Sequence, residues 1–187
     1  NSDTIGRFRN ILIKNNMQEK LFADVVNRLK ARGLMLMKGA IVDSTLIAAP
    51  SSTKNNKKKA RDPKAHQTKK GNQWYVGYKG HIGVDRDTSL ANKMETTAAN
   101  IHDVTVVPDL MEVTGEDVHG DSGYLGVEKR DGAILTNLFN YIVCARPSSL
   151  KKRFAGKDNE AAVTAEHAKS SVCCKVEHVS IAGCCRE

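Results

Sequence analysis

The stretch "GAIVDSTLIAAPSS", residues 39–52, sets one carboxylate, Asp43, inside an otherwise apolar run. Ala40, Ile41 and Val42 precede it, and Leu46, Ile47, Ala48 and Ala49 follow. Such a run reads as a buried strand, where an unpaired charge is costly or is neutralised by a raised pKa. Three explanations are open for Asp43. It is a neutral or hydrogen-bonded core aspartate, or the segment is a loop, or it is a metal ligand. The last requires further carboxylates from elsewhere in the chain.

Working outward, two helices precede this strand. Ile5, Phe8, Ile11 and Leu12 fall on one helical face, with Ser2, Asp3 or Thr4 available as N-cap. Leu21, Phe22, Val25, Val26 and Leu29 mark a second helix, closed by the basic turn Lys30–Arg32 and by Gly33. After the strand, "QWYVGYKGHIGVD" alternates. Trp74, Val76, Tyr78, Ile82 and Val84 share one face, and Lys79, His81 and Asp85 share the other. "LANKMETTAAN" returns as its antiparallel partner. Asp103 can cap a helix through Val106, Val107, Leu110 and Met111, with Pro108 delaying its start or kinking it. "EDVHGD" gives a short strand ending at Asp121, and "NYIVCARP" a last strand stopped by Pro147. A final helix carries the stripe Ala161, Ala165, Ala168, Val172 and Val176, with Asp158 as its cap. This order predicts an α/β protein, a mixed sheet flanked by helices. An N-terminal helical segment, residues 1–38, precedes a domain over 39–187.

The net charge of +8 is concentrated in residues 51–70. There Lys54, Lys57, Lys58, Lys59, Arg61, Lys64, Lys69 and Lys70 stand against Asp62 alone. A block of this kind is an electrostatic footprint for a polyanion, DNA included, or else a solvated basic loop. We expect it to be irregular and exposed. The five cysteines are odd in number, and the adjacent pairs Cys173–Cys174 and Cys184–Cys185 lack the spacing of zinc ribbons. No run approaches the roughly 20 apolar residues of a membrane span, and no signal-peptide pattern opens the chain. A cytoplasmic protein without membrane partners is expected. Asn1 in place of Met fits a fragment or processed piece.

Two more carboxylates stand out. Asp121, in "VHGDSGYLG", follows a strand and precedes a sharp turn. It is either a turn or N-cap aspartate, or a group opening into the crevice at the strand ends of an α/β sheet. Glu177 shares a helical face with Ser170, Cys173 and Cys184. By itself it reads as a solvated surface glutamate.

Taken together, "VDSTLIAAPSSTKN", "RDPKAHQTKKGNQWYVGYKGHIGVD", "TTAANIHDV", "GDSGYLGVEKR" and "CKVEH" resemble the DDE transposases of bacterial insertion sequences, in the insertion-sequence-five group. The resemblance runs from the N-terminal helices to about His178. It implies a ribonuclease-H-like fold in which Asp43, Asp121 and Glu177 form the catalytic, metal-binding triad. It also implies Mg²⁺ or Mn²⁺ as cofactor, DNA as element ends and target, a homo-oligomer on DNA, and a place in the bacterial cytoplasm with the nucleoid. Elementary chemistry agrees: three clustered carboxylates repel unless a cation compensates them, and oxygen-only ligands suit these hard ions.

The chain departs from the family on its last helix. Ser170, Cys173 and Cys184 stand where the family carries Tyr, Arg and Lys on the face of the catalytic Glu. A thiol supplies neither a positive charge nor a donor fork for phosphate. Past His178 the tail "VSIAGCCRE" no longer resembles the family. We therefore expect a decayed or truncated copy with an incomplete C-terminal helix and weak or absent activity. The alternatives are a catalytically dead DNA-binding remnant and a metal-dependent nuclease of the same fold. A dehalogenase-type phosphatase is disfavoured, because no second Asp stands two residues after Asp43.

Overall fold

The computed structural model describes residues 2–49, 62, 64–111, 117–129, 139–153 and 160–184. Of these, the side chains of Ser2, Pro147, Lys151, Arg153 and residues 177–184 lie outside the description. The chain forms two compact units, residues 1–36 and 37–187.

The first unit is a pair of helices, α1 (Ser2–Lys14) and α2 (Gln18–Ala31). Ser2, Asp3 and Thr4 lie inside α1 rather than capping it. Gly33 closes α2 as expected: at φ 66° it takes the left-handed turn that lets Leu34 N–H reach Leu29 C=O at 3.0 Å. The apolar stripe of α1 is open to solvent at Ile5, Phe8 and Ile11.

The second unit is a six-stranded mixed sheet flanked by helices, the ribonuclease-H-like arrangement that the sequence implied. Its strands are β1 (Gly39–Ala48), β2 (His66–Lys70), β3 (Gln73–Asp85), β4 (Ala91–Ala98), β5 (Asp117–Gly120) and β6 (Asn140–Val143). β3 is antiparallel to β1 and β4, whereas β5 is parallel to β1 and β6 parallel to β5. The short helices α3 (Val107–Leu110) and α4 (Pro147–Arg153) and the long α5 (Glu160–Cys184) complete it. Pro108 sits in the first turn of α3, where its missing N–H costs nothing. Asp103 opens a single tight turn, Asp103–Thr105, without capping it.

Alternation along β1 divides the core. Val42 packs with Val104, Val107, Leu110, Val118 and Tyr124 on one face of the sheet. Ile41 packs on the other face with Val84 and with Val172 and Val176 of α5. Each of these fully buried aliphatic side chains contributes roughly 1.5–3 kcal/mol.

Three expectations are corrected. Residues 66–70 are not irregular: they form β2, paired with Gln73–Gly77 across a turn at Gly71, φ 60°. On α5, Ala161, Ala165 and Ala168 are exposed, whereas Val172 and Val176 face inward as expected, together with Ala162, Glu166, Lys169 and Cys173. The helix also continues seven residues past Glu177, to Cys184. Asp158 lies outside the described residues.

Asp85 is the polar anchor of the sheet's far end. Its carboxylate accepts from the backbone N–H of Met37 (2.5 Å), Asp87 (3.0 Å) and Thr88 (2.8 Å), and from the Thr88 hydroxyl (3.0 Å). Burial alone would raise its pKa, but the hydrogen bonds from Thr88, Met37 and Asp87 outweigh it and hold the carboxyl below its ordinary range. A lowered folded pKa stabilises the fold above the unfolded value of about 3.9, and that contribution is lost as pH falls through the folded value. We expect Asp85→Ala to lower stability by about 3 kcal/mol at pH 7, because buried N–H groups lose a charged acceptor. In urea denaturation the gap between variant and parent should narrow below about pH 4. A gap unchanged between pH 7 and pH 3 would show that the charge contributes nothing.

Candidate active site

The site begins with strand register. β1 and β5 run parallel and pair Ala40 with Val118, Ile41 with His119 and Val42 with Gly120. The next residues on the two strands are Asp43 and Asp121. Neighbouring strands lie about 4.8 Å apart, so Asp43, midway along β1, and Asp121, just past the end of β5, stand at neighbouring positions. Both border two clefts that meet there. One, of about 430 Å³, runs under α5 past Cys144, Glu166, Ser170 and Cys173. The other, of about 700 Å³, runs along β3 past Ser44, Tyr75, Lys79 and Asp103.

Local sequence explains how Asp121 is held. Its carboxylate accepts from Gly123 N–H at 2.8 Å, capping the turn Ser122–Tyr124. The turn aspartate and the cleft aspartate are thus the same residue, and the two explanations offered by the sequence do not compete. Gly123 leaves room for this carboxylate: a Cβ there would lie 2.9 Å from Asp121 Oδ1 and would displace it. Gly120 gives the Tyr124 ring its room: a Cβ there would lie 3.1 Å from three atoms of Tyr124, which would have to shift. Tyr124 is buried near the pair, in the core cluster of Val42 and Val118. Burial first, then the charges of Asp103, Asp43 and Asp121, push its phenol far above the ordinary range, with Ser44 acting in the opposite direction. It stays protonated, an apolar floor with a donor tip.

The second cleft is polar and already paired. Lys79 Nζ donates to Asp103 Oδ1 at 2.8 Å and to Ile101 C=O at 2.8 Å. His81 Nε2 and Thr97 Oγ1 are 2.8 Å apart, while Nδ1 lies 3.9 Å from Asp103. Burial lowers the His81 pKa, an effect that Asp103 opposes. The sequence reading missed Asp103 and Lys79 as cleft residues. The capping position given to Asp103 concealed a pairing across 24 residues that no local pattern reports.

On α5 the first cleft receives Ser170 and Cys173, two of the positions that share a face with Glu177. Cys173 Sγ lies 3.7 Å from Cys144 Sγ. Burial pushes the Cys173 thiol up to about 12 and raises that of Cys144 as well, so both are neutral at pH 7. Glu177 follows Val176, which packs against Ile41 and Val84. Its own side chain lies outside the described residues, as do Lys54, Lys57, Lys58, Lys59 and Arg61. Lys64, Lys69 and Lys70 are exposed. Among the described residues no group of three His, Cys, Asp or Glu side chains is close enough to hold a metal ion. Asp43 and Asp121 supply two adjacent carboxylates of the oxygen-only kind that Mg²⁺ or Mn²⁺ prefers, so the donor set fits such an ion.

The glycine argument is checked at Gly120. We expect Gly120→Ala to cost about 1–3 kcal/mol, the usual range for overpacking, because Tyr124 must give way. A thermal unfolding midpoint equal to that of the parent would show that the ring has room.

No helix among the described residues is long and apolar enough to cross a membrane. Residues 35–178 match the model of a protein family described as "Transposase DDE domain". No solved structure matches the chain.

Proposed function

Because the chain belongs to the transposase DDE domain family, we propose that it cleaves DNA at the ends of an insertion sequence and joins the freed 3′ ends to target DNA, with Mg²⁺ or Mn²⁺ as cofactor. The observation that carries this is the parallel register that leaves Asp43 and Asp121 adjacent at the mouth of two clefts. Asp43, Asp121 and Glu177 would hold the metal, which supplies Lewis-acid stabilisation of charge in an in-line phosphoryl displacement. The rest falls to the chain itself. The Gly123 amide fixes one oxygen of Asp121, and Tyr124 closes the floor against water. Lys54, Lys57, Lys58, Lys59, Arg61, Lys64, Lys69 and Lys70 neutralise backbone phosphates, making affinity strongly salt-dependent. The long sequence segments favour the insertion-sequence-five group, action as a homo-oligomer on DNA, and a bacterial cytoplasmic setting at the nucleoid.

The test is strand nicking of a supercoiled plasmid that carries the element's ends. We expect nicks that require Mg²⁺ and that fall by at least about 100-fold in Asp121→Asn, since a neutral amide is a poor ligand for a hard cation. Nicking that survives chelation or this substitution would overturn the proposal. Joined 3′ ends distinguish a transposase from a nuclease of the same fold.

We also propose that this copy works slowly. Cys173 lines the cleft beside Asp43 and Asp121 at the position where the family signature carries Arg, and its neutral thiol brings no charge to a phosphate. A lost charged contact costs about 1.5–3 kcal/mol, so Cys173→Arg should raise the nicking rate by roughly 10- to 100-fold. The cleft of about 430 Å³ has space for the longer side chain. A parent chain as fast as this variant would remove the idea of decay.

A further inference from the structure

Two of the five cysteines meet inside the cleft of about 430 Å³. Cys144 follows β6 directly, Cys173 lies on α5, and their sulfurs are 3.7 Å apart. Both are free thiols, half-buried, and both line the cleft, so a small molecule entering it reaches them. Cys174 is exposed and stands a helical step of about 100° around α5 from Cys173. A metal is a poorer occupant of the pair. Among the described residues no third His, Cys, Asp or Glu completes a group around one ion.

Neither sulfur is placed by chance of side-chain rotation alone, because both backbones are held. Cys144 N–H donates to Gly120 C=O at 3.0 Å, which ties it to the end of β5 beside Asp121. The next amide, Ala145 N–H, donates to Glu166 at 2.9 Å, and Glu166 lies two helical turns before Cys173 on α5. Val172 and Val176 pack the same helix on Ile41 and Val84. The thiols are thus presented to each other by contacts that do not involve sulfur. Bonding requires the sulfurs to close from 3.7 Å to the roughly 2.05 Å of a disulfide, a movement on the scale of side-chain torsions.

We propose that Cys144 and Cys173 form a reversible disulfide, with a low-molecular-weight disulfide as oxidant, and so clamp α5 to the carboxyl ends of β5 and β6. One cysteine, as thiolate, attacks a sulfur of oxidised glutathione, giving a mixed disulfide and releasing one glutathione thiolate. The second cysteine attacks the protein sulfur of that mixed disulfide, closing the Cys144–Cys173 bond and releasing the second glutathione thiolate. The two protons lost by the cysteines end on the two glutathiones. The protein gives up two electrons, and glutathione disulfide takes them. Burial keeps both thiols protonated at pH 7, so the exchange is slow there and faster at pH 8. In a reducing compartment such a pair stays open until oxidant rises. Glu177 stands one helical turn beyond Cys173, so the clamp fixes the helix that carries it.

The experiment uses the full chain carrying Cys174→Ser, Cys184→Ser and Cys185→Ser, which leaves Cys144 and Cys173 alone. The reduced protein is incubated with oxidised glutathione at pH 8, free thiols are blocked with iodoacetamide, and tryptic peptides are weighed without reduction. We expect residues 131–151 linked to residues 170–175 as the main product, and loss of the link with dithiothreitol. The bond spans 29 residues of chain, so the thermal unfolding midpoint should rise by about 5–10 °C on oxidation. In the parent chain the link should survive Cys174→Ser and vanish with Cys173→Ser, which frees the test from the folding of the triple variant. Two alkylated thiols, mixed disulfides that never close, a link formed only in urea, or an oxidised form no more stable than the reduced one would overturn the clamp. No DNA enters the measurement, so its outcome is independent of the proposed cleavage.

Discussion

The parallel pairing of β1 with β5 is the constraint on which the rest depends. β1 is central, with β3 on one side and β5 on the other. Its residues Ile41 and Val42 are buried on opposite faces of the sheet. A slip of one residue would exchange these faces and carry Asp43 into the core, losing about 1.5–3 kcal/mol for each aliphatic group displaced and adding the cost of a buried charge. The pairing is also fixed at its other end. Asp117, opposite Gly39, accepts from Asn140 of β6 at 2.9 Å and from Arg86 at 3.3 Å. Three strands and the β3–β4 turn are thereby held in one alignment, and the adjacency of Asp43 and Asp121 follows from it.

This arrangement separates structural charge from chemical charge. At the Asp85 end of β3, every oxygen is consumed by backbone amides and a hydroxyl, and the carboxylate serves the fold. At the carboxyl end of β5, Asp121 spends one oxygen on its own turn and remains exposed. The glycines of "GDSGY" serve that economy of space: one admits the Tyr124 ring, the other admits the carboxylate. A motif that reads as a generic turn is a close-packed support for a single acidic group.

Much of this was legible in the sequence, and the failures have physical causes. The alternating strands and the long final helix were found because their apolar periods are strong, as in β3 and around Val172 and Val176. β2 was missed because a ribbon exposed on both faces has no apolar period to detect. The first half of the stripe on α5, Ala161 to Ala168, was set one position off, because alanines are common on solvent faces while the inward side there carries Glu166 and Lys169. Glu166 accepts from Ala145 N–H at 2.9 Å and from Lys169 at 2.7 Å, so its charge is satisfied where periodicity would place an apolar residue. The positions of Asp43 and Asp121 were readable from local sequence, but their adjacency was not, since it depends on pairing between strands 78 residues apart.

The thiols on α5 complete the electrostatic account. Where the cleft would benefit from a cation, Cys173 meets Cys144 at 3.7 Å, and burial keeps both protonated. The nearest amine on the inward face, Lys169, is already paired with Glu166. Among the described residues, Asp43, Asp121 and Glu166 border this cleft and no Lys or Arg does. A phosphate entering it would be repelled unless divalent metal or a second charged surface compensated. The second cleft, which ends at Lys69 and Lys70, lacks that defect. If the chain acts on DNA as proposed, a neutral helix face would impair the two clefts unequally: the one bordered by Lys69 and Lys70 would keep cations for a phosphate backbone, while the one beneath α5 would not. Binding should outlast catalysis when a chain of this family drifts in this way.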